Sequence, residues 1–135
     1  HPTTGAIYEI DSATRTEAGE PLTFGADSVP VKDFPSRAVV RSASLDFTLG
    51  RGDEGEASPT LKTPVAMVSW SHDGGANWSN QLHRSLGREG RFGYRASIYR
   101  LGMTTHHGFR LRWMISDPVD VSFQGASIEV EARRA

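Results

Sequence analysis

Residues 109–116, "FRLRWMIS", constrain the fold more than any other stretch. Phe109, Leu111, Trp113 and Ile115 fall on one side of a two-residue repeat, and Arg110, Arg112 and Met114 on the other. A strand sends successive side chains to opposite faces, so this stretch is a β-strand with one buried face. The same alternation returns in "SLDFTL", with Leu45, Phe47 and Leu49 on one face and Ser44, Asp46 and Thr48 on the other. In "GRFGYRASIYRLG", residues 90–102, Phe92, Tyr94, Ala96 and Ile98 share a face. "ASIEVEAR", residues 126–133, points Ile128 and Val130 inward. "TPVAMVSWS", residues 63–71, is apolar on both faces and reads as a central strand. No segment keeps a helical period over three turns. Turn signals recur about every 8–12 residues, which favours an antiparallel β-sandwich, jelly-roll-like, in a single domain.

The N-terminal third reads differently. "GAIYEID", residues 5–11, is a short strand on its composition, and residues 12–20 are a polar turn or loop. "PLTFG", residues 21–25, is a second short strand. "DSVPVKDFPS", residues 27–36, holds two prolines and reads as an extended connector. The organisation expected is a β segment and connector over residues 1–36, followed by the sandwich over 37–135. "GRGDEGEASP", residues 50–59, is a Gly-rich acidic loop. The chain opens on His-Pro-Thr-Thr without a Met or a leader pattern, and is read as a piece of something longer.

Composition narrows the chemistry. With 135 residues, 37% of them hydrophobic and 23% charged, the chain is globular and long enough for one core. It has no Cys, so disulfides, zinc–thiolate sites and Cys nucleophiles are excluded. The net charge of −1 hides a segregation: residues 1–60 hold ten acids and five bases, residues 61–135 six acids and ten bases. Arg84, Arg88, Arg91, Arg95, Arg100, Arg110 and Arg112 form a run in which Glu89 is the lone acid. Arg grips carboxylate or phosphate in a planar, two-pronged way. The run is either a solvated face or a surface for an anionic partner.

One turn carries a motif. In "SHDGGANW", Ser71, Asp73, Gly75 and Trp78 fit S-x-D-x-G-x-x-W, which resembles the Asp-box of sialidases and related propellers. An Asp in a tight turn accepts nearby backbone N–H groups, Gly permits positive φ, and the Trp folds back over the hairpin. These four residues are expected to clasp a hairpin rather than to touch a ligand. Ser71-His72-Asp73 has the residue types of a hydrolase triad, but contiguous residues do not converge on one point. His106 and His107 point to opposite sides of a strand and do not share a metal. Arg51-Gly52-Asp53, the Asn77-Trp78-Ser79 sequon and the acids Asp53, Glu54 and Glu56 carry too little pattern to assign a role. No catalytic residue, cofactor site or metal site is expected.

The order of these pieces is itself informative. "SLDFTLGRG", "MVSWSHDGGANWS", "SLGREGRFGYRASIYRLG" and "GFRLRWMISDPVDVSFQGASIEV" follow one another over residues 44–130. This succession resembles the C-terminal part of the packaged-DNA stabilisation proteins of short-tailed phages, the head-completion or head-to-tail hub proteins. The resemblance implies a non-enzymatic virion protein of the neck or tail hub, assembled in the host cytoplasm. Such a protein closes the portal channel, retains packaged DNA and links head to tail. It implies as partners other copies of the chain in a ring, portal or adaptor and tail proteins, and non-specific contact with DNA, but no membrane. The front end would then be the tail of an upstream propeller-like region. The Asp-box supports a second reading, a carbohydrate-binding or sialidase-like β module.

Overall fold

The computed structural model describes residues 2–11, 14, 16–33, 35–49, 63–87 and 94–133. The loop at 50–59, Arg88, Arg91 and Phe92 lie outside the described residues. The described chain contains strands and turns and no helix. A small hairpin pairs β1 (Thr16–Glu17), within the stretch expected to be loop, with β2 (Glu20–Pro21), where that stretch meets the expected second strand. Gly19 turns it at φ 87°, a backbone region that Gly enters without a steric penalty.

The other seven strands make two antiparallel sheets. A four-stranded sheet runs in the order β3 (Phe24–Asp27), β8 (Arg110–Ile115), β5 (Val65–Ser71), β6 (Leu82–Ser85). A three-stranded sheet runs β7 (Tyr94–Met103), β4 (Arg37–Leu49), β9 (Val121–Arg133). Neighbouring strands in both sheets pair antiparallel, and β5, apolar on both faces, takes an inner position. Strand β3 precedes residue 37 but hydrogen-bonds along β8, so the larger sheet begins before the expected connector ends. The two-proline connector continues that edge: Val31 and Phe109 exchange N–H···O bonds of 2.8 and 2.9 Å. Of these seven strands only β5 and β6 are joined within one sheet; the chain changes sheet between β3 and β4, β4 and β5, β6 and β7, β7 and β8, and β8 and β9.

The core is the inward half of each alternation. Leu45, Phe47 and Leu49 of β4 and Ala96 and Ile98 of β7 meet Val68 of β5 and Leu111, Trp113 and Ile115 of β8. Phe47 stands edge-on to Trp113 with ring centroids 5.2 Å apart, which joins the two sheets. On the β6 side the sandwich is narrow, with β6 against β7. On the other side it gapes. There β3 and β9 border a pocket of about 180 Å³ floored by Leu45, Leu111 and Trp113 and flanked by Ala26, Phe123 and Ala126.

Four expectations need correction. Residues 5–11 form no strand: none of the described strands pairs with them, and Ile7 and Ile10 are fully exposed. Val130 lies on the inward face, opposite Val40, yet stays 41% exposed because it sits on the outermost strand. Tyr94 pairs with Phe47 but is half-exposed at the start of β7. The alternation also breaks inside two strands. Val40 and Ala43 are both buried, as are Ile98 and Leu101, so each strand changes parity. The ladder is irregular between Val40 and Ser42, and Arg100 takes φ 59° there. A bulge absorbs the extra residue and swings the side chains back to the core.

Candidate functional site

The turn at residues 71–78 forms a closed hydrogen-bond knot after β5. Ser71 Oγ donates to Asp73 Oδ1 at 2.7 Å and accepts the N–H of Gly75 at 2.8 Å. Asp73 accepts the backbone N–H of Asn77 at 2.9 Å and the Asn77 side-chain amide at 2.6 Å. These donors, the Asn77 backbone N–H first and then the Ser71 hydroxyl and the Asn77 amide, hold the Asp73 carboxyl well below the usual carboxylate range. Gly74 and Gly75 take positive φ, and a Cβ on Gly75 would lie 2.7 Å from Arg110 Nη1. The turn is thus wrapped closely over Arg110.

It is also tied to the turn between β7 and β8. Gly74 N–H donates to the Gly108 carbonyl at 3.0 Å, and Thr105 N–H to the His72 carbonyl at 2.8 Å. His72 turns away from Ser71 and Asp73, and its Nε2 donates to the Leu101 carbonyl. The three triad-type residues therefore do not converge. His106 and His107 do not splay apart as on a strand; they occupy the turn with ring centroids 4.0 Å apart. Among the described residues no group of three or more His, Asp or Glu is arranged to hold a metal ion.

Trp78 does not enter the core. It lies half-buried against the outer face of the four-stranded sheet, with the Arg112 guanidinium carbon 3.9 Å from its ring centroid and that of Arg110 at 5.7 Å. Arg112 grips Asp27 of β3 with two bonds of 2.7 and 2.8 Å. Arg110 Nε donates to the Ser28 carbonyl at 2.9 Å. The Arg112 hydrogen bond lowers the pKa of Asp27 against the opposing effect of burial, and the charges of Arg112 and Arg110 add to it. The same bond raises the pKa of Arg112.

The remaining arginines separate into two kinds. Arg95 holds Asp46 across β4 and β7 with bonds of 2.6 and 3.0 Å, which lowers the Asp46 pKa and raises that of Arg95. Arg84 donates to the carbonyls of Ser97 and His83 at 3.3 and 3.2 Å. Arg100 is exposed in its bulge, with no ion pair among the described residues. The described members of the run are thus not gathered onto one face. Arg110 and Arg112 lie on the four-stranded sheet and share Asp27, and Arg95 lies on the three-stranded one and pairs with Asp46, both acids coming from the acidic half.

Two other cations meet by register alone. Arg37 at the start of β4 lies directly opposite Arg133 at the end of β9, both exposed and neither in an ion pair among the described residues. Like charges placed directly opposite repel. Met103 pairs with Val39 one step along this face and is also exposed. These arginines are 96 positions apart in sequence, and only the β4–β9 register reveals them as a pair.

The family model described as "Bacteriophage P22 Gp10, beta-sandwich" matches residues 28–131. No curated protein matches the chain.

Proposed function

The chain belongs to the bacteriophage P22 Gp10 β-sandwich family, and from that membership we propose that it is a non-enzymatic structural part of the virion, placed at the neck or tail hub. There it closes the portal channel after packaging, retains the DNA and links head to tail. The family match over residues 28–131 carries this reading. Cations without an ion pair among the described residues support it: Arg37, Arg133 and Arg100 sit exposed on the strands β4, β9 and β7 of one sheet. Such cations suit acidic faces of neighbouring virion proteins, or DNA phosphates read without regard to sequence. The Asp-box residues Ser71, Asp73, Gly75 and Trp78 act in this reading as a structural clasp. A glycan site would need an open aromatic platform, whereas the ring of Trp78 is capped by Arg112.

The test is a phage lacking the full-length protein. DNA-filled and empty heads are counted by electron microscopy after infection of a non-suppressing host. Mostly empty, tailless heads are expected. Filled heads carrying tails would overturn the reading and redirect the work to a glycan-binding screen.

A further inference from the structure

We propose that one end of the outer face of the three-stranded sheet, carrying Arg37, Arg133, Tyr99, Arg100 and Met103, docks an acidic surface of another virion protein. Three strands bring these residues together. Arg37 of β4 faces Arg133 of β9, and Val39, Met103 and Glu131 make the next row. Ser42, Tyr99 and Glu129 make the row beyond the bulge. Val40, Ala43 and Ile98 are buried, so alternation turns both rows, and the arginine pair with them, outward.

Two independent observations point to an anion. The first is the facing pair. Arg37 and Arg133 repel each other, and neither has an ion pair among the described residues. The two acids of this face are already held, Glu131 by Arg41 and Glu129 by the Ser42 hydroxyl. The second is Arg100, which follows Tyr99 and takes φ 59° in its bulge. Gly enters that region freely, whereas a side chain there is strained. An exposed arginine kept in a strained conformation with no ion pair among the described residues marks a contact made outside the chain.

The surroundings of these cations fit a protein rather than DNA. Tyr99 is 71% and Met103 53% exposed. Beside them Ser44, Ser97 and Ser127 make a flat row, with Ser44 and Ser97 bonded to each other at 3.0 Å. Tyr, Met and Arg are the residues in which protein interfaces are enriched. A phosphate backbone would be repelled by Glu129 and Glu131 and would leave Met103 uncovered. A protein surface can set one carboxylate between Arg37 and Arg133, a second on Arg100, and an apolar side chain over Tyr99. Docking there presupposes the virion placement.

Phenylglyoxal, which modifies exposed arginine, is applied to purified particles, to particles emptied of DNA, and to the isolated chain. Mass spectrometry reads the labelling. Arg37, Arg100 and Arg133 are expected to react freely in the isolated chain and to be protected in both kinds of particle. Carbodiimide, which joins amines to carboxylates, is applied to particles carrying Arg37→Lys. Position 37 is expected to link to an Asp or Glu of a different protein. Arg100→Gly should melt at or above the parent temperature, yet enter particles roughly tenfold less. Equal labelling in particles and isolated chain would overturn the proposal. So would protection lost with the DNA, links from position 37 that reach no other protein, or Arg100→Gly entering particles at the parent level. A chain absent from particles removes the virion placement as well; a chain present but unprotected removes the docking alone.

Discussion

Arg112 lies between an acid and an indole. Its guanidinium reaches both carboxylate oxygens of Asp27, at 2.7 and 2.8 Å, and its central carbon stands 3.9 Å from the ring centroid of Trp78. One side chain on β8 thus ties the β3 edge to the loop that follows β5. The Trp78 ring is covered by a planar cation.

That arrangement depends on planarity as well as charge. Arg112→Lys keeps the charge but loses the fork and the stacked plane. Arg112→Lys and Trp78→Ala should each lower stability in urea by about 0.5–2 kcal/mol. Combining them should cost less than the sum of the two, because both remove the same contact. Strict additivity would show that the stack contributes nothing.

Asp73 should make stability depend on acid. Its folded pKa is depressed, so its contribution is complete above the ordinary carboxylate value of about 3.9 and is lost as pH falls through the lower folded value. Asp73→Asn should therefore melt below the parent at neutral pH. The gap should hold down to about pH 5 and narrow progressively below about pH 4 as the pH approaches the lower folded value. A gap independent of pH would place the effect elsewhere. Asp27 is depressed in the same direction, so Asp27→Asn should follow the same course.

The contact between Phe47 and Trp113 joins the sheets, and both side chains are buried. Phe47→Ala should lower stability by about 3–5 kcal/mol through the cavity it leaves. Chemical denaturation measures the loss, and a change under 1 kcal/mol would mean the sheets repack without it.

Gly25 meets the backbone of β8 closely: a Cβ there would stand 2.2 Å from the Trp113 carbonyl oxygen. That atom belongs to backbone and cannot swing aside. Gly25→Ala should loosen β3, seen as faster amide exchange along Phe24–Asp27, while β5 and β6 keep their protection. Unchanged exchange in β3 would show that the edge tolerates the added methyl.

The facing pair Arg37 and Arg133 separates stability from partner binding. Arg37→Glu replaces a repulsion by an attraction and should stabilise the isolated chain by about 0.2–1 kcal/mol. If this surface meets anions in the virion, the same change should reduce the yield of filled particles. Lower stability of the isolated chain would contradict the register.

The sequence by itself determined the class of fold and most of the core. Leu45, Phe47 and Leu49, Ala96 and Ile98, and Leu111, Trp113 and Ile115 were all legible, because a two-residue period is local and needs no knowledge of neighbours. The hydrogen bonds of the turn after β5 are local in the same way, since Ser71, Asp73 and Asn77 bond within a few residues of one another. Tertiary structure alone decided the rest. The parity changes near Arg41 and Arg100 arise where three strands must stay in contact with one core. Which Asp holds which Arg, and that Arg37 faces Arg133, follow from registers between segments tens of residues apart. Whether "GAIYEID" is a strand depends on a neighbour to complete its hydrogen bonds, and a strand's backbone cannot supply that neighbour from within itself.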